Sequence, residues 1–159
     1  MIVNTTTING VDIKKETVLE VGKFTILWNI FEKHRCKYNY KCKEINSIEL
    51  SHLYKLPFEK FASVLKDRAL TKGLTIKTYV ENKLYPKSNA IIRKDDKEIY
   101  MPIVIDFINS AGRTQLEGAI LAIHRIRNNM FHGLKWYDEL DEQINLFRAM
   151  NAVLEEVIK

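Results

Sequence analysis

Glycine and proline are scarce in this chain, 6 and 3 among 159 residues. A sandwich or barrel of short strands needs turn residues at every corner, so this scarcity argues against a turn-rich all-β design and for long helices. Only two cysteines occur, Cys36 and Cys42, too few for a disulfide-stapled scaffold. The opening M-I-V-N-T-T-T-I-N-G has neither a basic start nor an apolar stretch, so no signal peptide is expected and both thiols are expected to be reduced in a cytoplasm. The set His34, Cys36, Cys42 and His52 lacks the C-x-x-C knuckle of ordinary zinc sites, and no metal or other cofactor is expected from it. No run of about 18 apolar residues exists, which excludes an expected membrane-spanning helix. Repeats and low-complexity tracts are also missing.

What is present reads as globular. Apolar residues make up 46% and charged residues 28%, enough apolar surface to build a core and too much for a disordered chain. The length is that of a single domain, residues 1–159, with 1–12 as a polar lead-in that holds at most one short strand. A formal charge of +5 favours solubility and mildly favours a polyanionic partner such as RNA.

Apolar residues recur at helical spacing in several segments. Val18, Val21, Phe24, Leu27, Trp28 and Phe31 predict a helix from Lys14 or Glu16 to about Lys37. A loop follows, and Ser47 is a candidate cap for a short helix. Pro57 then opens a helix with Phe58, Phe61, Leu65 and Leu70 on its apolar side, ended by Gly73. T-I-K-T-Y-V-E-N-K-L-Y reads equally as a short helix or an extended segment. Residues 86–101 are polar and charged and predict an excursion or loop, after which Pro102 opens another short helix. The clearest helix runs from about Arg113 to His132 and stops at Gly133, glycine being the residue that adopts the left-handed C′ conformation cheaply. Asp138 is a plausible N-cap for the last helix, which carries Leu140, Ile144, Phe147, Leu154 and Ile158. The expected fold class is all-α, a bundle of four to six helices with a polar insert near 86–101.

The end of the penultimate helix, I-R-N-N-M-F-H-G, carries the chemistry. With Ile123 at the centre of the apolar stripe, Leu116, Ile120, Ile126 and Met130 fall within about 60° of it at 100° per residue. Arg127 falls about 40° away, on the core side, where a guanidinium must be paired or must snorkel outward. Asn128, His132 and Leu121 fall about 140°, 180° and 160° away. They share the opposite face, a combination that fits a second buried surface such as a subunit interface. Asparagine is a poor helix former, so the Asn128-Asn129 step is a local cost with no evident structural return. Caps and macrodipole partners are the bland reading of such residues at a helix end. The functional reading is that His132, in the last turn where imidazolium is stabilised, serves as general acid or base, and that Arg127 offers a planar fork to a phosphate. Asn128 would hold the histidine or the scissile group. No carboxylate cluster lies nearby in sequence, so the toolkit suits metal-free attack of a ribose 2′-hydroxyl on its own phosphodiester.

The stretch Arg127 to His132, R-N-N-M-F-H, resembles the R-x4-6-H signature of the HEPN superfamily, with Asn128 in the polar position that follows the arginine. The W-N-I-F-E segment, Trp28 to Glu32, is similar to the tryptophan-bearing early helix of some HEPN domains. The resemblance covers two helices well and the middle of the chain poorly. It implies an α-helical bundle that acts as a homodimer, two motifs facing each other to form one composite endoribonuclease site. Arg127 would bind the scissile phosphate, Asn128 would orient the site and His132 would be the acid or base, leaving a 2′,3′-cyclic phosphate and a 5′-hydroxyl. It also implies toxin–antitoxin, abortive-infection or other antiviral systems, with an antitoxin or other defence-system protein as a further partner.

Arg125, Asn129 and Lys135 flank the motif and are candidates to grip neighbouring phosphates, against a solvated basic rim. His124 reads as a helix-surface histidine. Glu32 is a candidate partner for Arg127 across the helix pair, and Tyr38, Tyr40 and Trp136 are candidates to stack on bases. Two other readings stay open: a non-catalytic HEPN-like module that binds RNA or nucleotide, and a helical protein-interaction module.

Overall fold

The computed structural model describes residues 4–36, 53–86, 92–110, 116–131 and 137–159. The lead-in holds two strands. β1 (Thr5–Ile8) and β2 (Val11–Lys14) pair antiparallel. They are joined by Asn9 and Gly10, both at positive φ, 48° and 80°. A two-residue turn of that kind matches the twist of a hairpin, and Asn-Gly is its preferred sequence. The expectation of at most one strand is corrected on this point.

Everything else that is described is helical or connects helices. α1 (Lys15–Arg35) buries Phe24, Leu27, Trp28 and Phe31. α2 (Leu56–Thr71) has Pro57 in its first turn, where the missing N–H costs nothing. It is closed by Gly73 at φ 67°. Phe58, Phe61 and Leu65 are buried, but Leu70, expected on the same stripe, is 66% exposed. The undecided segment is helical: α3 (Ile76–Tyr79), with Thr75 capping the Thr78 N–H, widens into a π-type turn over Val80–Leu84. The expected loop at 86–101 is corrected in its second half. Asp96–Tyr100 form another π-type turn that runs directly into α4 (Met101–Asn109). α5 (Leu116–Phe131) follows. The last helix begins later than Asp138. A 3-10 stretch, Tyr137–Gln143, is interrupted at Glu139 by non-helical torsions, and α6 (Ile144–Val157) starts after Gln143. Ser47, Tyr38, Tyr40, Cys42, His52 and Trp136 lie outside the described residues.

Long-range polar contacts show how α1 and α6 are set. At one end, the Lys14 N–H and the Thr17 hydroxyl donate to Asp141 at 3.0 and 2.6 Å. Asp141 therefore caps the start of α1 from across the chain, and the bond from Thr17 holds its carboxyl below the usual carboxylate range. In the middle, Asn151 donates to the Glu20 carbonyl and carboxylate. At the far end, Arg35 donates to the Val157 and Lys159 carbonyls, satisfying the end of α6. Start meets start and end meets end, so the two helices run parallel.

One core cluster joins α1, α2, α4, α5 and α6. Phe24 and Phe147 meet edge to face at 5.5 Å, and Phe61 and Phe107 meet at 5.7 Å. Each such ring taken fully from water stabilises the fold by about 1.5–3 kcal/mol. α4 and α5 approach closely at Gly118, where a Cβ would collide with the Cβ of Phe107. α5 is buried on almost every side, with Leu116, Ala119, Ile120, Leu121, Ala122, Ile123 and Ile126 all in the core. Leu121, expected on a face left for a second subunit, is 2% exposed within a single chain. That second buried surface is intramolecular here. Among the described residues, no helix is long and apolar enough to cross a membrane.

Candidate functional site

Two interlocking networks occupy the last two turns of α5. The first is a clamp. Arg125 donates from Nε to the Leu84 carbonyl at 3.0 Å, and its guanidinium lies 4.9 Å from the centroid of the Tyr85 ring. Asn129 donates from Nδ2 to the Lys83 and Leu84 carbonyls at 3.0 and 3.3 Å, and its Oδ1 accepts from Arg125 at 3.4 Å. The carbonyls at the end of a helical turn have no donor of their own, and here two side chains of α5 supply them. Arg125 is 5% exposed and Asn129 is fully buried. They are therefore not the phosphate-gripping rim expected of them. Their donors point inward at backbone, and burial without these partners would leave a charge and an amide unsatisfied.

The second network is half-buried at Arg127, at Asn128 and, one turn earlier, at His124. The Arg127 guanidinium sits 5.6 Å from the centroid of Trp28 on α1, within the range of a cation–π contact. Its Nη1 donates to Asn128 Oδ1 at 3.3 Å. The Asn128 amide nitrogen lies 3.3 Å from His124 Nε2. The His124 ring in turn stacks on Trp28, 5.9 Å between centroids and 20° from parallel. An arginine on the core side needed a partner or an outward stem, and Trp28 and Asn128 answer that need.

Desolvation, then the neighbouring cations Arg125 and Arg127, push the His124 pKa down from 6.5 to about 4. The ring is neutral near pH 7. The expectation of an ordinary helix-surface histidine is corrected: His124 is stacked and largely desolvated. Its i, i+4 spacing to Asn128 is the sequence signal that could have found this contact. No sequence signal pointed to Tyr85 or to the Lys83 and Leu84 carbonyls.

His132 and Lys135 lie outside the described residues, as does Gly133. Of the three candidate catalytic residues Arg127, Asn128 and His132, the first two are therefore the ones described. Among the described residues, no group of three His, Cys, Asp or Glu side chains is placed to hold a metal ion. A separate cleft of about 340 Å³ opens between α2 and the start of α6, lined by Asp67, Arg68, Lys72, Glu139 and Glu142 among others. It contains none of the motif residues. Compared with protein-family models, curated proteins and solved structures, the chain matches none.

Proposed function

We propose that this chain is a metal-independent endoribonuclease of the HEPN type, acting as a cytoplasmic homodimer in a toxin or antiviral defence system. It cleaves RNA by attack of a ribose 2′-hydroxyl on the adjacent phosphorus. The bond to the 5′-oxygen of the next nucleotide breaks, giving a 2′,3′-cyclic phosphate and a 5′-hydroxyl. Arg127 takes the scissile phosphate, Asn128 orients it, and His132 transfers the proton. Lys135 adds positive charge for the RNA.

The observation that carries this reading is the guanidinium of the half-buried Arg127, held beside Trp28 and bonded to Asn128. A fork fixed between an indole and an amide loses little rotamer freedom when an anion arrives, which favours phosphate recognition over a mobile surface arginine. The test is RNA cleavage in the presence of a chelator by wild type, Arg127→Ala and His132→Ala. The expected result is cyclic-phosphate ends from wild type and none from either variant. Equal RNA binding and no cleavage by wild type and His132→Ala would favour a binding module instead.

A helical interaction module is favoured by a different feature. Leu19 and Ile26 of α1 are 73% and 62% exposed. They lie about 180° and 160° round the helix from Trp28. If that face holds a partner and RNA is left intact, the interaction reading replaces the enzymatic one.

A further inference from the structure

The Asn128 side chain is ordered by the chemistry of its neighbours. A guanidinium has donors and no acceptor, so the atom that meets Arg127 Nη1 at 3.3 Å must be the amide oxygen. The other end, the NH₂ group, then faces His124 Nε2 at 3.3 Å. An NH₂ donates, so Nε2 must accept. That requires a neutral imidazole with its proton on Nδ1. The reverse amide orientation would set NH₂ against guanidinium, donor against donor. Trp28 closes the ring of contacts by touching both ends, the His124 ring and the Arg127 guanidinium. Burial and the two flanking arginines keep His124 in the neutral form the arrangement needs.

We propose that His124 is a positioning residue: its Nε2 fixes the Asn128 amide, which in turn aims the Arg127 guanidinium at an incoming phosphate diester. His124 does not touch the substrate and moves no proton in the reaction. The proposal deepens the nuclease reading and rests on it for the identity of the anion, while the hydrogen-bond order stands on the geometry alone.

The test uses the full chain and two variants that keep most of the volume. His124→Phe retains a ring to stack on Trp28 and removes the acceptor. His124→Gln restores an acceptor oxygen. Cleavage of a single-stranded RNA in chelator is expected to fall roughly ten- to hundredfold in kcat for His124→Phe, with KM little changed, because the misaimed fork is felt in the transition state. His124→Gln is expected to recover to within about threefold of wild type, since an acceptor again faces the amide. A His124→Phe protein that cleaves like wild type, while Arg127→Ala does not cleave, would overturn the relay and leave the nuclease reading intact.

Nitrogen NMR of the wild-type imidazole at neutral pH gives the second readout. It is expected to show the proton on Nδ1, with the Asn128 side-chain amide signals shifting in Arg127→Ala. A proton on Nε2 would overturn the proposal. If wild type cleaves no RNA at all, the nuclease reading fails, and the NMR result alone then decides the hydrogen-bond order.

Discussion

Arg125 with Asn129 and Arg127 with Asn128 share the last two turns of α5, yet the first pair is buried against backbone carbonyls and the second is half-buried beside Trp28. The residue types are the same and the positions interleave. Their difference comes from what each faces across the helix. Arg125 and Asn129 meet the end of the turn at Val80–Leu84, whose carbonyls need donors. Arg127 and Asn128 meet an indole and an imidazole. The same residue types thus have two environments on one helix, and the proposed function rests on the second pair.

The comparison breaks most sharply at Arg127. Arg127→Ala is expected to lower RNA cleavage by about a thousandfold, roughly 4 kcal/mol of transition-state stabilisation. The same change should lower unfolding free energy by only about 1 kcal/mol, the worth of a partly exposed cation–π contact. Cleavage assays and urea denaturation on the same preparation check both numbers.

The next largest effect is acid sensitivity. The folded-state pKa of His124, about 4, lies below its ordinary 6.5, so the unfolded chain takes up a proton first as the pH falls. Stability is full above about 6.5, declines towards about 4 and then levels off for this group. At about 1.4 kcal/mol per unit the loss is on the order of 3 kcal/mol. Arg125 and Arg127 are the cations that resist the imidazolium. Denaturation midpoints measured across this window should slope in wild type and flatten in His124→Phe. Glu156, held below the usual carboxylate range by its bond from Lys159, stabilises the fold while ionised, and that contribution is lost as the pH falls below its ordinary 4.5.

Asn129→Ala comes third and marks the other pair. It removes the Asn129 donor to the Lys83 carbonyl and one of the two donors to the Leu84 carbonyl, and about 2 kcal/mol of stability should go with it. Cleavage per folded molecule should stay close to wild type. The smallest effect is a control on the same helix, away from both pairs. Gly118→Ala drives a methyl into Phe107 and to 3.0 Å from the Ile103 carbonyl oxygen. Overpacking there should outweigh the gain in helix propensity and leave a net loss of about 1 kcal/mol, read as a lower melting temperature.

The helices were legible where local chemistry decides them. Pro57 and Gly73 bracket α2 as expected, and the apolar spacing of Phe24, Leu27, Trp28 and Phe31 put α1 within a residue or two of its bounds. Asn9-Gly10 is an equally local signal for a hairpin, which the reading of residues 1–12 as a polar lead-in did not use. Other features depend on distant partners. Asp141 has no local sequence signal for its role, and only the fold brings it to Lys14 and Thr17. The apolar wheel read the Leu121 face of α5 as a second buried surface such as a subunit interface; Leu121 is buried, but within the single chain, because that helix is enclosed. The same limit applies at the site. The Asn128-Asn129 step was read as a cost to the helix with no evident structural return, yet Asn129 bonds the Lys83 and Leu84 carbonyls. Its return is divided between a backbone clamp and an oriented arginine, which no spacing rule separates.

The direct test of the division is one experiment on three proteins at a temperature well below unfolding: wild type, Arg127→Ala and Asn129→Ala, each assayed in chelator for cyclic-phosphate RNA ends and for unfolding free energy. The account predicts that Arg127→Ala stays folded and loses cleavage, while Asn129→Ala loses stability and keeps its cleavage. Cleavage that survives Arg127→Ala, or that vanishes with Asn129→Ala in a folded protein, would contradict it.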